Sequence, residues 1–161
     1  MEYLDIINDN DKVIGQATRE EIYQKKLMHR IVHLIILDNN GRFALQLRSK
    51  NVKFCPNHWS TIVGGHVQSG ETYKEAILRE AEEEIGIKPI IKKFSKDLYA
   101  KDGLKKFLVT FKTHYNGSFK PNSEDVETIK FFKLDEIKKM VTRGEKFHPE
   151  LLFLLENYFL N

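Results

Sequence analysis

The stretch from Gly65 to Ile87, GHVQSGETYKEAILREAEEEIGI, constrains the fold more tightly than any other part of the chain. Thr72 followed by Glu75 forms a capping box, in which each side chain satisfies a backbone N–H left open at a helix start. Gly86 supplies the residue that most easily enters the left-handed conformation at a helix end. Between them Ile77, Leu78, Ala81 and Ile85 recur at helical spacing and form one apolar face. A helix from Thr72 to Ile85, standing on a hydrophobic core, is the expectation. Glu80, Glu83 and Glu84 lie three and four residues apart, so their carboxylates fall on one patch and repel each other. An arbitrary acidic run is most simply a solvated face, here balanced by Arg79 against Glu75 and Glu83. The context points further: a Gly64-Gly65 turn is expected before the helix, and Arg79 directly precedes the first acid. Hard divalent cations take oxygen ligands, which clustered carboxylates and a glycine carbonyl would supply.

The rest of the chain reads as strands with few helices. Tyr3–Ile7 and Lys12–Ala17 flank the turn-forming Asn8-Asp9-Asn10-Asp11 and predict an N-terminal hairpin. Thr18, with Glu20 and Glu21 after it, marks a helix start. Arg30–Leu37 and Phe43–Leu47 around Asn39-Asn40-Gly41 predict a second hairpin with one central strand. Ser49–Trp59 reads as a polar loop. Two long strands are expected over Ile90–Ala100 and Leu104–Tyr115, joined at Asp102-Gly103, and another over Thr128–Leu134. Helices over Asp135–Thr142 and Pro149–Leu160 close the chain. Strands joined by hairpins, with helices to cover them, predict an α/β fold with a mixed sheet and not a doubly wound parallel one.

Composition narrows the function classes. At 161 residues the chain is expected to form one domain spanning 1–161. Its formal charge of +3 suits polyanionic small molecules, and without interleaved basic and aromatic residues it does not predict a nucleic-acid surface. Cys55 stands alone, which excludes an intramolecular disulfide and fits a reducing cytoplasm. Glu2, Asp5 and Asp9 are out of place in a signal peptide, and Leu34–Leu37 is too short to span a bilayer, so no membrane is expected. Arg48, Lys50 and Lys53 form a basic loop; Arg48 and Lys53 are candidates to hold a phosphate, whereas Lys50 reads as solvated. His66 is a candidate to contact phosphate or to cap a turn. His29 stands at a strand entrance, and Cys55 reads as incidental.

The segment resembles the Nudix box, G-x5-E-x7-R-E-U-x-E-E-x-G-U with U aliphatic. Gly65, Glu71, Arg79, Glu80, Glu83, Glu84, Gly86 and Ile87 stand at its defined positions, and Ala81 is smaller than its usual aliphatic residue. The resemblance implies an α/β/α sandwich and hydrolysis of a nucleoside diphosphate linked to another moiety. It implies Mg²⁺ or Mn²⁺ on Glu80, Glu83, Glu84 and the Gly64 carbonyl, with Gly65, Glu71, Arg79 and Gly86 structural. Glu80 is the first candidate for general base, with Glu124 and Glu127 as distal ones. A homodimer is a further expectation from the resemblance alone. From His29 to His66 the chain is also similar to isopentenyl-diphosphate isomerase. Gly64, however, stands at the position of that family's cysteine, and Lys105, Lys106 and Phe107 where it carries a strand glutamate. The remaining alternative is a non-catalytic nucleotide or RNA binder, which would have no need of so many metal ligands.

Overall fold

The run HRIVHLIIL lacks polar alternation because both of its faces are covered, the pattern of a strand at the centre of a layered fold. The computed structural model describes residues 1–160. The elements are β1 (Tyr3–Ile7), β2 (Val13–Thr18), α1 (Arg19–Lys25), β3 (His29–Leu37), β4 (Phe43–Arg48), β5 (Trp59–Thr61) and β6 (Val63–His66). After them come α2 (Tyr73–Ile85), β7 (Lys92–Lys101), β8 (Leu104–His114), β9 (Val126–Phe132), α3 (Leu134–Thr142) and α4 (Pro149–Tyr158).

β3 pairs in parallel with β8 from His29↔Lys106 to Leu37↔His114, and antiparallel with β6 through Val32↔Gly65 and His33↔Gly64. The expected hairpin of β3 and β4 exists only at its tip, Leu37↔Phe43. Beyond it the strands separate, since β4 takes β5 and β9 as neighbours while β3 takes β8 and β6. Val32, Leu34 and Ile36 pack with Ile77, Ala81 and Ile85 of α2 on one side of the sheet. Ile35 faces the other side, with Ile137 and Met140 of α3 and Leu151 and Leu155 of α4. The result is the mixed-sheet α/β/α sandwich, and β1, β2 and α1 add a small cluster of Leu4, Ala17 and Ile22 at one end.

Two expectations are corrected. Trp59 does not end a loop but opens β5, buried against Phe132. Gly64 and Gly65 form no turn; they are extended residues of β6, held there by pairing to β3. Gly65 is needed for space: a Cβ there would sit 2.4 Å from Glu80 Cδ, where no atom fits without displacing the carboxylate. Among the described residues no helix is long and apolar enough to cross a membrane.

Candidate active site

The start of α2 forms as read. Thr72 Oγ1 accepts from Glu75 N at 3.1 Å, Thr72 N donates to Glu75 Oε1 at 3.0 Å, and Gly86 closes the helix at φ +69°. Because Glu75 is spent on this cap, it does not pair with Arg79 as expected. Arg79 instead grips the preceding loop, donating to Glu71 Oε2 at 2.7 Å, Glu71 Oε1 at 2.9 Å and the His66 carbonyl at 3.1 Å. Its remaining nitrogen is shared between Glu80 Oε1 at 2.9 Å and Glu83 Oε2 at 3.2 Å. A planar guanidinium with five donors can hold loop and acidic face in one geometry; a lysine could not.

Glu80, Glu83 and Glu84 border one cavity of about 700 Å³, together with Gly64 and Gly65. Burial, the adjacent Glu80 charge and a hydrogen bond with Glu80 push the Glu84 carboxyl well above the usual carboxylate range. Burial raises Glu80 too, although Arg79 opposes it. Glu84 Oε2 is buried without a hydrogen-bond partner. Two adjacent buried carboxylates with an orphaned oxygen form an incomplete electrostatic arrangement, and a hard cation would complete it. Glu83 departs from the expected cluster. It turns outward to Arg79, with its side chain 59% exposed, and among the described residues no three His, Cys, Asp or Glu donors converge on one point. Arg79 thus supplies the countercharge that the mutually repelling carboxylates require.

The remaining wall holds Glu150 and His33, which no motif or spacing marks in the sequence, and Lys106, which stands where the isomerase carries a strand glutamate. Glu150, at the start of α4, is buried and accepts from His33 Nε2 at 2.8 Å and from Lys106 Nζ at 2.8 Å. Burial alone would raise this carboxyl, but the His33 hydrogen bond and the charges of His33, Lys106 and His148 outweigh it and hold it below the usual range. Burial opposes the Lys106 ammonium, but the charges of Glu150 and Tyr23 and the hydrogen bonds to both together outweigh it and raise Lys106 above its ordinary value. His33 Nδ1 meets Thr61 Oγ1 at 2.7 Å. A polar His33 inside an apolar strand was the available signal, but its partners could not be read from spacing.

Arg48 and Lys53 do border the cavity, and Arg48 Nε also ties down its loop through the Phe54 carbonyl at 3.0 Å. His66 borders it as well, but it neither caps a turn nor offers a free Nε2. That atom meets Tyr23 Oη at 2.6 Å, and the ring stacks on His29 at 5.6 Å. Burial pushes His66 well below its ordinary value and His29 down to about 4, so both are neutral. Glu124 and Glu127 do not border the cavity. Both are exposed, Glu124 in the turn before β9 and Glu127 on that strand, while Asn122 and Asp125 of the same segment reach the cavity lining.

The family model for the NUDIX domain matches residues 27–155. YfcD of Escherichia coli strain K12, an uncharacterised Nudix hydrolase, is 30% identical over 94% of this chain and 83% of its own. The crystal structure of DR0079 from Deinococcus radiodurans superposes with a TM-score of 0.86 at 25% identity, covering 98% of this chain and 99% of that one. The NUDIX domain of Shewanella oneidensis NrtR, solved with ADP ribose, shares the fold at a TM-score of 0.64 and 15% identity, over 87% and 96% of the two chains. The chain belongs to the Nudix family and is a pyrophosphohydrolase.

Proposed function

We propose that residues 1–161 act as one hydrolase domain on a small, nucleotide-derived diphosphate, with Mg²⁺ or Mn²⁺ held by Glu80, Glu83, Glu84 and the Gly64 carbonyl. The observation that carries this reading is the buried, partnerless Oε2 of Glu84 beside the Glu80 carboxylate. When bound, a divalent cation supplies charge neutralisation at the pyrophosphate oxygens and makes water a stronger nucleophile at neutral pH. Glu83 would exchange its exposed contact with Arg79 for the cation. Arg79 and Glu71 keep the loop and α2 in register throughout. Glu80 takes the proton of the attacking water as its oxygen bonds to phosphorus. The bridging P–O bond breaks, and its electron pair stays on the departing phosphate. Arg48 and Lys53 are placed to hold substrate oxygens. The ADP ribose in the related NrtR fold supports a nucleotide-derived substrate. Isomerisation is disfavoured because β8 brings Lys106, not a carboxylic acid, to the cavity.

A panel of nucleotide and non-nucleotide diphosphates, run with Mg²⁺, with Mn²⁺ and with EDTA, tests the reading by product chromatography. Metal-dependent release of a nucleoside monophosphate is expected; binding without turnover of any compound would overturn it. Metal affinity should also rise with pH. The raised values of Glu80 and Glu84 mean that protons occupy this pair further toward neutrality than ordinary carboxyls, and a cation must displace them. Calorimetric titration with Mn²⁺ at about pH 5 and about pH 8 should therefore show weaker binding at the lower pH. Equal affinities at the two would count against a protonated pair.

A further inference from the structure

The acidic side of the cavity leaves its cationic groups unexplained. Lys106 is 9% exposed, a position that an ammonium rarely occupies without purpose. Its Nζ donates to Glu150 Oε2 at 2.8 Å and to Tyr23 Oη at 3.4 Å. An ammonium has three N–H bonds, and the third has no protein partner among the described residues, while the side chain borders the cavity. Glu150 is held on its other oxygen by His33, so the lysine is anchored from below and its position is fixed before any ligand arrives. Tyr23 links Lys106 to the catalytic side, because its hydroxyl also meets His66 Nε2 at 2.6 Å and His66 follows Gly65, the residue that makes room for Glu80.

Arg19 lies four residues before Tyr23 on α1, one helical turn away, and borders the same cavity. Its guanidinium has no hydrogen bond or ion pair among the described residues, although its charge acts on both His66 and His29. One anchored ammonium with a spare donor and one unengaged guanidinium therefore line the same cavity. A monoester phosphate carries about −1.5 to −2 charge at neutral pH and three acceptor oxygens. A phosphate esterified on both sides carries only one negative charge.

We infer that Arg19 and the spare N–H of Lys106 form a subsite for the terminal phosphate of the substrate. The preferred class is then pyrophosphates ending in a free phosphate, such as nucleoside di- and triphosphates, over those capped by an ester at both ends. The subsite rests on the hydrolase reading above and deepens it by assigning the groups that hold the free end of the substrate.

The probes are ADP, which ends in a free phosphate, and ADP-ribose, which does not. Their dissociation constants are measured by calorimetry in EDTA, so that the result is independent of turnover. Wild-type protein should bind ADP more tightly, and Arg19→Gln should reduce the ratio of ADP to ADP-ribose affinity about tenfold, as expected for one charge-assisted hydrogen bond. Because Lys106→Met alone strands a buried carboxylate, the lysine is tested as the double variant Lys106→Met/Glu150→Leu, with folding checked by circular dichroism. Should it not fold, Arg19→Gln decides. A purely structural role would weaken both ligands equally, and that result, or no preference for ADP in the wild type, overturns the subsite. If the ratio shifts but wild-type protein hydrolyses neither these probes nor any other compound of the panel with Mg²⁺ or Mn²⁺, the subsite stands and the metal-dependent reading of this site falls.

Discussion

Glu84→Gln is expected to reduce turnover about 100-fold or more while leaving the protein folded. In the metal-free protein burial and the Glu80 charge oppose the charge of Glu84 and push its carboxyl well above the usual range. A neutral amide of the same shape relieves the repulsion with Glu80, so thermal stability in EDTA should be equal to or above that of the wild type. The loss should come in metal-dependent catalysis, where a carboxylate is needed to hold the cation. Stability in EDTA and turnover with Mg²⁺ should therefore move in opposite directions. Near-full activity of the variant would remove Glu84 from the metal site. Glu83→Gln should also reduce turnover by orders of magnitude, since the exposed Glu83 is assigned to the same cation.

The largest expected loss of stability is at Lys106. Removing one member of a buried ion pair leaves the other charged and desolvated, at about 3–5 kcal/mol, and Lys106→Met would leave Glu150 with His33 alone. The double change Lys106→Met/Glu150→Leu should recover much of that loss, because neither charge then needs a partner. Urea unfolding of the two variants beside the wild type gives the comparison. If the single and double variants were equally unstable, lost packing and not an unpaired charge would be responsible. The same network has a pH signature. Glu150 is held below its ordinary value, so its contribution is present above the unfolded carboxyl range and lost only as pH falls toward its lower folded value.

These two experiments address different kinds of information. The α2 cap, the Gly86 stop and the apolar face could be read because each depends on residues within a few positions of one another. The match of Glu71, Arg79 and the later glutamates to the box was legible for a similar reason, since loop and helix are consecutive. A residue's role was not legible where it depended on a distant neighbour. Gly64-Gly65 looks like a turn in isolation and becomes a strand only because β3 lies alongside. Arg79 lost its expected partner Glu75 to a cap that the sequence itself had announced.

The sequence by itself determined the family, the layered α/β architecture and the acidic helix, because hydrophobic period, capping chemistry and a fixed motif are local properties. Tertiary structure alone decided the opposite wall of the cavity. His33 and Glu150 are 117 positions apart and Lys106 and Glu150 are 44 apart. No spacing rule pairs residues across such distances. Only when β3, β8 and α4 pack together do their charges leave water and have to satisfy one another.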